Sequence, residues 1–128
     1  MNTPSQILSS RKGFTLIEII AVLVLLGILT AVAVPRFLDL STAAEERALD
    51  AGIAELNGRE NLAWGQAMIA ESGDITDSDV WDNMNTDLGS DYSWEGTVDE
   101  NGGTLEFGSA SVSLTRTVAT TTSPGRWD

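Results

Sequence analysis

Residues 14–34 read FTLIEIIAVLVLLGILTAVAV, an apolar run with a single charge, Glu18. At about 1.5 Å rise per residue a helix of this length reaches roughly 30 Å, the hydrocarbon thickness of a bilayer. A carboxylate inside such a run is costly and marks a functional partner; the plainer reading is a glutamate near a helix end that snorkels to the headgroups. Arg11, Lys12 and Gly13 stand immediately before the run. Two positive charges there place this end in the cytoplasm and the carboxy-terminal part on the outer side of the membrane.

A secretory signal peptide places its cleavage site after the apolar region. A cut at Gly13 would fall before it, so the apolar helix would stay in the mature protein. Gly13 followed by Phe14-Thr15-Leu16-Ile17-Glu18 and a long Ile/Leu/Val/Ala run resembles the signature of type IV prepilins, shared by type IV pilins and type II secretion pseudopilins. The resemblance implies that a prepilin peptidase cleaves after Gly13, that the new terminal Phe14 is N-methylated, and that Glu18 is needed for assembly. It also implies that Gly27 loosens the helix and that Pro35 kinks it. The stretch Pro35-Arg36-Phe37-Leu38-Asp39-Leu40-Ser41 and the Ala/Glu/Arg helix after it are similar to the mannose-sensitive haemagglutinin subgroup of pilins.

The residues supply a reason for the glutamate. Cleavage would create a terminal amine at Phe14, about one helical turn from Glu18 and close enough to interact within one helix. Between helices the same pair would set axial register, because an unpaired charge buried in a bundle costs several kcal/mol. Pro35 removes one backbone donor and crowds the preceding turn, and Gly27 weakens the helix by about 1 kcal/mol relative to alanine.

From Arg36 onward the helical pattern becomes amphipathic. Leu49, Ile53, Leu56, Ala63 and Ala67 fall on one stripe, and Glu45, Glu46, Asp50, Arg59 and Glu60 read as polar faces. Gly52, Gly58 and Gly65 would admit a close backbone, and Asn57-Gly58 is a competing turn signal. Glu71-Ser72-Gly73 ends the helix. Residues 74–91 read as an acidic loop in which Asp74, Asp77, Asp79 and Asp82 offer oxygen ligands to calcium; the spacing is not that of an EF-hand, and a solvated acidic loop is the alternative. Trp81 reads as an anchor into the core, or equally as an amphipathic ring facing a neighbouring subunit. Tyr92 to Val118 alternates as strands, with hairpins at residues 99–103 and at Gly108-Ser109, and Trp127 tucks back against the head.

The expected fold is α+β, a long amino-terminal helix packed on a small three-stranded antiparallel sheet. Its parts are a leader (1–13), a transmembrane or polymerisation helix (14–35), an amphipathic helix (36–72) and a globular head (73–128). The 128 residues hold 19 acidic and seven basic side chains, a net charge of −12. A body so acidic repels phosphate backbones, so direct nucleic-acid binding is not expected. Cysteine and histidine are both absent, which removes thiolate and imidazole ligands and the usual nucleophile and general-base pairs; an enzyme is not expected.

The function expected is that of a structural subunit that polymerises with copies of itself into a type IV pilus for adhesion, surface attachment or motility. The implied partners are the prepilin peptidase, the assembly machinery, and the bacterial inner membrane before the extracellular pilus. The alternatives are a pseudopilin of a periplasmic type II secretion filament and a membrane-anchored periplasmic module that binds calcium or a ligand.

Overall fold

The structure, a computed structural model, describes residues 13–128, so the leader apart from Gly13 lies outside the described residues. The chain divides into two units, Met1–Leu38 and Asp39–Asp128. Helix α1 (Leu16–Ala70) belongs to both and contains Pro35. Its side chains in the first unit, from Leu16 to Leu38, are all exposed.

In the second unit α1 buries Leu49, Gly52, Leu56, Glu60, Ala63 and Ala67. Steps of three and four residues keep these on one face of a 3.6-residue helix, as the stripe read from the sequence requires. Asn57-Gly58 does not break the helix. The Asn57 side chain donates to the Ile53 carbonyl and to the Trp127 carbonyl, and its own oxygen accepts from the Trp127 amide. The residue that reads as a turn former is therefore a clamp on the carboxy-terminal strand. The helix stops where Ser72 and Gly73 adopt left-handed backbone conformations and the Gly73 amide reaches back to the Met68 carbonyl, a closure that favours glycine.

The expected acidic loop contains a short helix, α2 (Asp77–Asp82). The Asp79 carboxylate accepts from the backbone amide and hydroxyl of Thr76, so Asp79 closes the start of the turn. Val80 is fully buried, and Trp81 packs on the core as expected. The apolar positions in this segment are too few to show a helical period against the run of aspartates.

The sheet has four strands, one more than expected: β1 (Tyr92–Asp99), β2 (Gly102–Phe107), β3 (Ala110–Thr117) and β4 (Arg126–Trp127). They pair antiparallel in the order β1-β2-β3-β4. A strand of two residues has no alternation to read. Both hairpins have two-residue turns. In the second, Gly108 takes a left-handed conformation directly against Glu45, whose carboxylate accepts from the Ser109 amide and hydroxyl.

Leu105 and Leu114 of the sheet and Trp127 meet Leu49 and Leu56 of α1 in one cluster, while Ile75, Val80 and Ala119 meet Ala63 and Ala67 in another. At Gly52 a side chain would stand 2.8 Å from the Tyr92 ring, and the Tyr92 hydroxyl donates to the Ala48 carbonyl at 2.7 Å. The close neighbours of Gly52 are thus side chains of the same chain, those of Tyr92, Leu105 and Leu88, and not the backbone that the recurring glycines were expected to admit. Gly58 and Gly65 face open space.

Glu60 corrects the polar-face reading, for its exposure is 0%. Arg116 on β3 donates to it from Nη2 at 2.6 Å and Nε at 2.9 Å, and the Trp127 indole donates to it at 3.1 Å. The same guanidinium gives two hydrogen bonds of 2.9 Å to Asp77 and one of 3.1 Å to the Glu100 carbonyl. It also lies 5.4 Å from the centre of the Trp81 ring, within cation–π range. Burial of these charges is tolerated because each has an opposite charge and hydrogen bonds around it.

Candidate functional site

Thr15 precedes the first residue of α1, and Glu18 is the third. The Glu18 carboxylate accepts from the Thr15 amide at 2.8 Å and from the Thr15 hydroxyl at 2.9 Å, while the Glu18 amide donates to the Thr15 hydroxyl at 3.3 Å. This is a capping box, a reciprocal arrangement that satisfies donors left over at a helix start. Glu18 is therefore partnered by Thr15, and Phe14 is 85% exposed. The T-x-x-E spacing carries this signal in the sequence, where the charge of Glu18 drew attention away from Thr15.

Past the cap, Leu16, Ile17, Ile19 and Ile20 begin an exposed apolar surface that runs to Val34 and, past the charged Arg36, to Phe37 and Leu38. Among the described residues of the first unit nothing covers it. This helix is long and apolar enough to cross a membrane. Gly27 has open space around it. Thr30, one turn from it, turns its hydroxyl onto the Leu26 carbonyl at 2.7 Å, a back-bond that competes with the helical ladder and often bends it. Pro35 removes the amide that would serve the Ala31 carbonyl. Thr30 and Pro35 thus each disturb the backbone ladder of the helix, and Thr30 was not singled out from the sequence.

The four aspartates read as calcium ligands are not brought together. Asp77 accepts from Arg116 and, at 2.6 Å, from the Ala119 amide, and Asp79 is engaged by Thr76. Burial works against the Asp77 charge, but the hydrogen bonds from Arg116 and Ala119 and the charge of Arg116 outweigh it, so its carboxyl is held below the usual aspartate range. The hydroxyl and amide of Thr76 likewise lower Asp79. Among the described residues no group of three or more acidic side chains is arranged to hold a metal ion.

Residues 8–34 match the family model described as the prokaryotic N-terminal methylation motif. The chain is also similar to the major component of the type IV narrow pilus of Thermus thermophilus, 48% identical over 56 residues, which cover 44% of this chain and 48% of that relative. The chain thus matches about half the length of this curated relative. No solved structure matches significantly.

Proposed function

We propose that this chain, which carries the amino-terminal methylation motif and the helix-on-sheet fold of a type IV pilin, is a major subunit of a type IV pilus and polymerises with copies of itself. The observation that carries the reading is the apolar surface from Leu16 to Leu38, exposed among the described residues and headed by the motif. A stretch of this kind requires an apolar environment. Lipid supplies one to the precursor, and the same helix of neighbouring copies supplies one in a fibre. The two environments are similarly apolar, so transfer between them is close to balanced, and packing with a few polar contacts sets its direction.

In this scheme Arg11 and Lys12 hold the amino end in the cytoplasm, a prepilin peptidase cuts after Gly13, and the amine of Phe14 is methylated. Before the cut Glu18 sits in the membrane with its carboxylate engaged by Thr15. After it, a cation stands one residue before the cap, and Glu18 of a neighbouring copy becomes its counter-charge. Gly27 and Pro35 let the helix adjust as copies pack.

The test is to shear surface fibres from cells and determine the amino terminus of their subunit by mass spectrometry. The expected result is a chain that begins at N-methylated Phe14. A chain found only in periplasmic and membrane fractions would overturn the pilus reading in favour of a secretion pseudopilus, and one that retains Met1 in the fibre would overturn the cleavage.

A further inference from the structure

Five cationic side chains lie among the described residues, and four are committed within the chain. Arg47 pairs with Asp50, Arg59 with Glu55, Arg116 with Glu60 and Asp77, and Arg126 with Asp128. Arg36 is exposed and has no ion pair among the described residues. Residues 39–128 carry 18 of the 19 acidic residues. Copies packed side by side therefore bring together strongly negative surfaces with one uncommitted side-chain cation each after removal of the leader.

The position of that cation is informative. Glu18 follows the Phe14 amine by four residues, and Asp39 follows Arg36 by three. These steps are about 6 Å and about 4.5 Å along a helix. Two parallel copies displaced so that the Phe14 amine of one meets Glu18 of the other therefore bring Arg36 of the first level with the Asp39 region of the second. The mismatch of about 1.5 Å is within the range of a flexible arginine side chain. Asp39 is exposed and enters no ion pair among the described residues.

We propose that Arg36 of one copy pairs with Asp39 of a neighbouring copy, a second ion pair that fixes the same axial register as the Phe14 amine and Glu18. The occupant is a second copy of this chain, chosen by charge complementarity and by the shared spacing. The inference rests on the assembly reading above. One pair sets an offset at the amino end only; two, about twenty residues apart, hold helices parallel and in step, since a slip of one turn breaks both.

The experiment compares the full-length wild type with Arg36→Asp, Asp39→Arg and the double exchange, scoring sheared fibre by immunoblot against equal amounts in the membrane fraction. Each single exchange is expected to lower fibre yield at least about fivefold, through like charges meeting across copies, and the double exchange to restore it to within about twofold. Singles with wild-type yield, or a double no better than the singles, overturn the pairing; the second result with an inserted protein points to Arg36 serving lipid headgroups instead. Wild type that yields no fibre overturns the assembly reading and this pairing with it, whereas abundant wild-type fibre without rescue removes the pairing alone.

Discussion

Replacing Arg116 by methionine takes five hydrogen bonds from the centre of the head, two to Glu60, two to Asp77 and one to the Glu100 carbonyl. It leaves the Glu60 carboxylate fully buried with the Trp127 indole as its one remaining hydrogen-bond donor. Breaking a buried pair in this way costs about 3–5 kcal/mol. Asp77 retains the Ala119 amide and some exposure, so its share is smaller. The expected destabilisation at pH 7 is about 3–5 kcal/mol, a drop in Tm of about 12–40 °C for a head of this size. All four tryptophans lie in the second unit. Urea titration of detergent-solubilised full chain, followed by tryptophan fluorescence, therefore reports on the head without interference from the apolar helix. Combining Arg116→Met with Glu60→Leu removes the stranded charge and is expected to recover at least half of the loss. A single variant within about 1 kcal/mol of wild type at pH 7, or a double variant no more stable than the single, would refute the claim that this pair is buried and mutually dependent.

Asp77 gives a complementary acid response: its carboxyl is lowered in the folded chain, so it contributes stability above the ordinary value of 3.8 and loses it as pH falls through the folded value. Asp77→Asn is expected to flatten the acid limb of the stability curve below about pH 4 while costing about 1–2 kcal/mol at pH 7, as read by urea midpoints at each pH. Asn57→Ala removes both hydrogen bonds from its side chain to the Trp127 backbone and should lower stability by about 1–3 kcal/mol, with early exchange of the Trp127 amide in hydrogen-exchange mass spectrometry. Glu18→Leu is expected to insert in the membrane normally and to abolish most fibre; abundant fibre from a strain with only this variant would contradict the docking role. Calcium or chelator should leave the Tm of the chain unchanged, since Asp77 and Asp79 are engaged by Arg116 and Thr76; a rise of several degrees with calcium would show that the aspartates regroup around an ion.

The helix stripe and the hairpins were legible in the sequence because each rests on local chemistry: apolar residues at helical spacing, and glycine with small polar residues between alternating runs. The amino-terminal segment was legible for the same reason, its motif being contiguous. What was missed depends on residues brought together across long separations. Glu60 and Arg116 are 56 positions apart, and each alone reads as a surface charge; their burial follows from mutual compensation, which no window along the chain displays. The strand β4 was hidden because its partners, Asn57 and β3, are distant and its length is two residues. Thr15 is a different kind of miss, since its capping signature was present in the sequence.

The four indoles are distributed so that each ties a connecting segment to a different anchor. Trp64 donates to the Thr120 carbonyl, Trp94 to the Thr86 carbonyl and Trp127 to Glu60, while Trp81 lies beside the Arg116 guanidinium. In a chain without cysteine these links stand where a secreted domain of this size often uses covalent bridges. They need no oxidant to form and no reductant can open them. The head should therefore reach the same closed state in reducing and oxidising surroundings, and the solution variable to which it is tied is proton activity, through the Asp77 carboxylate that accepts from Arg116.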